Sequence, residues 1–142
     1  LAGAGPQGDA LLAQAARLGI GERVRFLGWR TDPAALLAAC DVLICSSRHE
    51  PLGNIVIEAW AQNRPVIATR SQGPSALIED EVSGIFTPID DAAALGAAIR
   101  RVTGSPDLGG TLVIGGRNAY EADFTEKIVV SRYLEFFASV TG

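Results

Sequence analysis

Short apolar runs alternate along this chain with longer stretches in which apolar residues recur at helical spacing. Val24-Arg25-Phe26-Leu27, residues 41–45, 65–69 and the shorter 84–87 read as strands, and Leu1-Ala2 reads as the end of another. Between them the pattern predicts helices. One runs from a cap at Asp9 through Leu18, with Gly19 as its stop. Another opens at Asp32-Pro33, where the missing proline N–H costs nothing, and continues to Ala39. Others cover 54 to about 62, about 75–79, and a stretch capped by Asp90 that reaches about Val102. A last helix, capped by Thr125, covers 126 to about 138, with Ile128, Val129, Leu134, Phe136 and Phe137 on one face. The segment 108–123 contains Gly109-Gly110 and Gly115-Gly116. Each glycine costs a helix about 1 kcal/mol relative to alanine, so only 117–122 is expected to be helical there. Strands alternating with helices mean an α/β domain built on a parallel sheet. Ligands on such sheets bind at the carboxyl ends of strands, which points to the loops after Ala2, Leu27, Cys45 and Thr69.

Composition narrows the classes. The chain has 142 residues, 48% of them apolar, and a net charge of -4. That length suits one core. The acidic balance argues against general nucleic-acid binding, which needs a basic excess. No signal or transit peptide is visible, and the apolar runs fall short of a membrane span. Cys40 and Cys45 are the only cysteines and read as buried free thiols rather than a disulfide framework. A reducing, cytoplasmic setting is expected. The chain lacks methionine and opens directly in an apolar element, so we expect a single truncated domain over 1–142, with C-terminal helices from about 105.

Gly3-Ala4-Gly5-Pro6-Gln7-Gly8 fits the G-x-G-x-x-G pattern of dinucleotide-binding turns. Such a turn also wants an acidic residue about 20 positions on, at the end of the next strand. Gly28-Trp29-Arg30 stands there instead. Arg30 could serve as an NADP-type phosphate partner, and the plain alternative is a glycine-rich strand–helix turn.

The segment from Ser46 to Gln62 is the most informative. Between Pro51 and Asn63 the only charged residue is Glu58, set among Ile55, Val56, Ile57, Ala59, Trp60 and Ala61. A helix apolar nearly all round is expected to lie between layers. A carboxylate there needs a partner, either the hydroxyls of a ligand or an internal salt bridge or cap. Glu50 precedes the same helix, and Gly53 opens it. Free N–H groups of Gly53, Asn54 and Ile55 would favour an anion at the helix start. Glu58 shares a helix face with Asn54. The constellation suits a nucleotide joined to a polyhydroxy group. His49 is a candidate acid or sugar contact, with an ordinary loop role as its alternative. Arg48 either neutralises phosphate or is solvated. Trp29 is a stacking platform or an exposed wall, and Trp60 is expected in the core.

Glu50-Pro51-Leu52-Gly53-Asn54-Ile55-Val56-Ile57-Glu58 is E-x7-E with glycine three residues after the first glutamate. It resembles the signature of glycosyltransferase family 4, whose members have the GT-B fold of two Rossmann-like domains. Asp41-Val42-Leu43-Ile44-Cys45-Ser46-Ser47 is similar to that family's lead-in strand. Val24-Arg25-Phe26-Leu27-Gly28 is similar to its strand and loop near the base, and the stretch from Leu1 to Pro6 to its glycine turn. Gly73, Asp80, Gly84 and Pro88 fall where the family's Gly-rich loop and the turn after it fall. The likeness covers most of 1 to about 102.

This resemblance implies the donor-binding, C-terminal half of a GT-B enzyme that moves a sugar from a nucleotide sugar with retention at the anomeric carbon. Glu58 would hold the ribose hydroxyls, and Glu50 would stand by the donor sugar as the catalytic candidate. The backbone of Gly53, Asn54 and Ile55 would hold diphosphate or sugar. Gly28, Trp29 and Arg30 would lie by the base, with Gly5 and Gly73 completing the donor site. No metal and no cofactor is implied beyond the donor itself. The acceptor, a glycan or a lipid-linked glycan in glycan biosynthesis, would be bound by an N-terminal domain outside this chain. The parent enzyme would be cytoplasmic or at the inner face of a membrane, with peripheral association. The family's diphosphate-gripping Arg and Lys would lie upstream of Leu1. Two departures stand out: Ala76 replaces an expected glutamate, and Glu81 replaces an expected glycine. Two readings of other classes remain beside it, an NADP-dependent oxidoreductase fragment using Gly3, Gly5 and Gly8, and a nucleotide-binding module without catalysis.

Overall fold

The computed structural model describes residues 1–141, which cluster as two compact units, 1–33 and 34–141. In the first unit, two extended segments run in the same direction. Leu27 N–H donates to Leu1 O at 2.8 Å and Gly3 N–H to Gly28 O at 2.7 Å, while the Leu1 ammonium group donates to Arg25 O at 2.6 Å. The expected strands at Leu1-Ala2 and 24–27 therefore pair, but over too few bonds to form regular strands. Helix α1 (Gly8–Arg17) starts one residue before Asp9 and has no side-chain cap. Asp9 instead sits in the first turn, where a carboxylate favours the positive end of the helix dipole. Gly19, at φ 66, closes the helix as expected. A 3-10 turn follows at Gly21–Arg23.

The second unit is built on a parallel sheet of order β1-β2-β3, namely β1 (Leu43–Cys45), β2 (Val66–Thr69) and β3 (Ile85–Thr87). Leu43 pairs with Val66, and Ile67 with Ile85. Every residue of β2 is buried, which explains a continuous apolar run in place of alternation. One face carries Leu37 of α2 (Pro33–Ala39), Cys45, Val66, Ala68, and Val56, Ala59 and Trp60 of α3 (Asn54–Ala61). The other carries Ile67, Ile85, and Ala98 and Val102 of α5 (Ala92–Thr103). The short α4 (Gln72–Leu77) starts earlier than the expected 75–79, because Ser75 N–H already bonds to Ser71 O. Asp91, not Asp90, caps α5 by accepting from Ala94 N–H at 2.8 Å; Asp90 sits at φ 63 outside the helix.

The largest correction is α6 (Pro106–Asp123), a continuous helix through all four glycines. Ser105 caps it and Pro106 occupies its first turn. It packs Leu108 and Leu112 on one core and Ala119 and Tyr120 on the other, with Phe124 joining just past its end. The glycines are what let it approach. A Cβ on Gly116 would meet Trp60 Nε1 at 2.6 Å, and one on Gly115 would run into the Val82 backbone. Close packing over the helix offsets the intrinsic cost of glycine. Helix α7 (Glu126–Thr141) extends three residues beyond expectation, and its Val129, Tyr133, Phe136 and Phe137 are exposed.

Candidate functional site

The carboxyl end of β1 leads through Ser46 and Ser47 to Glu50, and the chain then turns into α3 at Gly53. Gly53 adopts φ 76, in the left-handed region where a side chain is disfavoured. A Cβ there would also lie 2.8 Å from Leu77 Cδ1 and 3.1 Å from the Gly73 backbone. Gly73 is equally confined: a Cβ would meet Glu50 O and Leu52 C, each at 2.6 Å. Gly73 N–H donates to Glu50 O at 2.6 Å. The start of α4 therefore packs backbone to backbone on the Glu50 loop.

Glu50 Oε1 accepts from Gly53 N–H at 3.1 Å. This corrects the expectation of three free N–H groups, since the first is taken by the chain's own carboxylate. Among the described residues the N–H groups of Asn54 and Ile55 have no acceptor. They remain open donors at the positive end of α3.

Glu58 overturns a second expectation. It is exposed rather than buried between layers, and it has no side-chain partner among the described residues. The helix is buried along one arc only, through Val56, Ala59 and Trp60. Steps of 100° per residue place Glu58 and Asn54 on the opposite side. The shared face of Asn54 and Glu58 is as expected, and both residues are exposed. Apolar neighbours at Ile55, Ile57 and Ala61 are only partly buried, which made the helix look more enclosed than it is.

Arg48 is neither free nor simply solvated, because its Nε bonds to Asp90 Oδ1 at 2.6 Å. His49 is exposed and has no hydrogen-bond partner among the described residues. Trp60 is buried, with Nε1 donating to Ser83 O at 2.9 Å. A groove of about 250 Å³ opens at the carboxyl edge of the sheet, lined by Ser46, Thr69, Pro88, Asp90 and Asp91. Among the described residues no cluster of three or more His, Cys, Asp or Glu is arranged to hold a metal.

In the first unit, Gly28 lies at φ 64 and Trp29 is 79% exposed. Arg30 is engaged by Asp32 through two bonds, Nε to Oδ1 at 2.8 Å and Nη2 to Oδ2 at 2.6 Å. The hydrogen bonds from Arg30 hold the Asp32 carboxyl below the usual carboxylate value. The cation that an NADP phosphate would require is thus already paired. Gly5 lies in an open concavity with Leu1, Gln7 and Phe26, and nothing stands within 4 Å of where its Cβ would be.

The sequence model of the family described as Glycosyl transferases group 1 matches residues 1–105. The chain belongs to the group 1 glycosyltransferases. The lipopolysaccharide core biosynthesis glycosyltransferase LpsE of Rhizobium meliloti is 39% identical over 98% of this chain and 41% of its own length. LpsD of the same organism is 38% identical over 96% of this chain and 40% of that protein. Anabaena HepE, solved with UDP, superimposes with a TM-score of 0.90 at 28% identity, over 98% of this chain and 40% of that one. HepE has also been solved with UDP-glucose, where the TM-score is 0.89. This group 1 glycosyltransferase chain thus spans about two fifths of the length of the relatives it matches. The α/β architecture with a Rossmann-like parallel sheet, expected from the resemblance to GT-B enzymes, is the one observed. Glu81, which stands where the resemblance implies a glycine, adopts φ 64, a conformation glycine favours. No helix is long and apolar enough to cross a membrane among the described residues.

Thr69 went unnoticed in the sequence. Its Oγ1 donates to Ser47 O and lies 3.4 Å from Cys45 O. A hydroxyl closing a run of Val66, Ile67 and Ala68 was the available signal.

Proposed function

We propose that residues 1–142 form the donor-binding part of a retaining glycosyltransferase that takes sugar from a nucleoside diphosphate sugar. The observation that carries the reading is the start of α3. Glu50 stands before it, two open N–H groups lie at its end, and Glu58 projects from the same exposed face as Asn54. An ionised carboxylate such as Glu58 can accept hydrogen bonds from both hydroxyls of a ribose. The N–H groups of Asn54 and Ile55 suit a phosphate or sugar oxygen. When a nucleoside diphosphate leaves, negative charge grows on its terminal oxygens, and fixed donors at a helix start stabilise that charge without reorganising. Glu50 is held by Gly53 N–H in a position next to those donors and serves the sugar. Gly73 lets the start of α4 close backbone to backbone on the Glu50 loop.

The acceptor is a glycan or a lipid-linked glycan, bound by a second domain of the parent enzyme, which works in the cytoplasm or at the inner face of the membrane. The reaction needs no metal, since the fixed donors at the start of α3 offset the diphosphate charge. The role of LpsE and LpsD in lipopolysaccharide core biosynthesis supports the acceptor class.

Calorimetry on the full-length protein with UDP-, GDP- and ADP-sugars tests the reading. One of them binds, and Glu58→Ala weakens that nucleotide at least about tenfold, as expected for losing hydrogen bonds to a charged group. Unchanged nucleotide affinity in Glu58→Ala would remove the ribose assignment.

A further inference from the structure

We infer that Thr69 is a positioning residue for Glu50, acting through the Ser47 carbonyl. The inference rests on the reading of Glu50 as the residue beside the donor sugar. Thr69 ends β2, is 4% exposed, and is the only polar residue in that strand. Its hydroxyl is spent on the chain leaving β1, donating to Ser47 O. Four positions later, Gly73 N–H donates to Glu50 O at 2.6 Å. The connection from β2 to α4 therefore grips the Glu50 loop twice, at Ser47 and at Glu50 itself. The Gly73 bond is main-chain and survives side-chain substitution. The Thr69 bond is the one a mutation removes.

The neighbouring strand shows that this bond is not automatic. Thr87 is the register partner of Thr69 on β3 and is 3% exposed. Its Oγ1 has no partner among the described residues. A threonine at this edge of the sheet thus does not find a loop carbonyl merely by being there. The Arg48–Asp90 pair also ties the loop, but both side chains are largely exposed, and such pairs hold geometry loosely. Cys45 Sγ also reaches Ser47 Oγ at 3.8 Å, a weak contact within the same segment, and Thr69 is the buried side chain that holds the loop from the neighbouring strand.

Loss of the hydroxyl leaves Ser47 O without its donor and frees the residues between Ser47 and Glu50 to shift. The Asn54 and Ile55 N–H groups belong to α3 and stay in place. The consequence is selective. Affinity for the nucleotide alone is kept, and the extra affinity contributed by the sugar is lost.

The test uses the full-length protein and calorimetry with three pairs of probes: UDP and UDP-glucose, GDP and GDP-glucose, ADP and ADP-glucose. The pair that wild type binds best defines the sugar increment as the ratio of the two affinities. Thr69→Val is expected to reduce the increment about tenfold, the scale of one lost hydrogen bond to a charged group, while nucleotide affinity stays within about twofold. Thr69→Ser, which keeps the hydroxyl, restores the increment. Thr69→Ala removes the hydroxyl without the valine methyl and repeats the test if Thr69→Val does not fold. A variant without the hydroxyl that melts earlier yet keeps the wild-type increment overturns the inference, and so does a Thr69→Ser that loses it. Glu50→Ala runs alongside. If Glu50→Ala keeps the increment, or wild type shows none with any pair, the reading of Glu50 itself falls. If Glu50→Ala loses it and Thr69→Val does not, only the role of Thr69 falls.

Discussion

Two of the glycine-bearing turns that lead into helices, one in each unit, are built in opposite ways. Gly3-Ala4-Gly5-Pro6-Gln7-Gly8 enters α1, and no atom lies within 4 Å of a Cβ on Gly3, Gly5 or Gly8. Gly53 enters α3 against Gly73 of α4, and a Cβ on either would strike backbone or side chain at 3.2 Å or less. The first turn matches the better-known pattern, yet nothing in its own unit requires its glycines for packing. The second is a single glycine in sequence, and its necessity comes from a residue 20 positions away. A string of glycines states that approach is allowed. Only the neighbours show that approach is used.

The largest expected effect is at the crowded junction. Gly73→Ala should lower stability by about 3 kcal/mol, because the loop and α4 must separate to admit the methyl group. Urea unfolding measures this, and a loss below about 0.5 kcal/mol would mean the junction yields freely and the contrast dissolves. Gly116→Ala extends the test to α6. A loss of about 2 kcal/mol is expected as α6 backs away from the indole, with a shift in Trp60 fluorescence as its mark. An unchanged spectrum would show that α6 absorbs the methyl group without moving.

Smaller effects sharpen the comparison. Glu81 holds a left-handed conformation and bonds to Arg101 at 2.7 Å. The hydrogen bond from Arg101, and then its charge, holds the Glu81 carboxyl below its ordinary value. A carboxyl lowered in the folded state adds stability that is present above its unfolded pKa and is lost as pH falls through the folded one. Glu81→Gly removes this acid-side dependence and relieves the backbone. Its melting temperature at neutral pH should match or slightly exceed wild type, while its loss on acidification should be smaller than that of wild type, since only the Asp32 contribution is common to both. A clearly lower melting temperature at neutral pH would show the ion pair outweighs the backbone strain. The smallest change is expected in the open turn. Gly5→Ala should stay within about 0.5 kcal/mol of wild type, and Gly8→Ala, inside α1, should gain up to about 1 kcal/mol. Should Gly5→Ala weaken nucleotide binding with stability unchanged, a ligand rather than the fold requires that glycine.

The alternation of apolar runs with helical periodicity was enough to place β1, β2 and β3 within two residues. It also placed α3 and the Glu50–Glu58 pair, since strand and helix periods are written locally and a carboxylate among apolar residues stands out. The glycine-rich half of α6 was not legible, because propensity counts the cost of each glycine and is blind to Trp60 and Val82 arriving from 33 or more positions away. The exposure of Glu58 was misread for a related reason. Composition around a residue does not say which side of a helix has a sheet behind it, and only Val56, Ala59 and Trp60 face one. The capture of Gly53 N–H by Glu50, and the grip of Thr69 and Gly73 on the same loop, lay wholly outside the sequence. The sequence by itself determined which residue types stand at the start of α3. The tertiary structure decided which donors there remain open and what holds the carboxylate beside them, because hydrogen bonds between distant segments depend on how the strands pair.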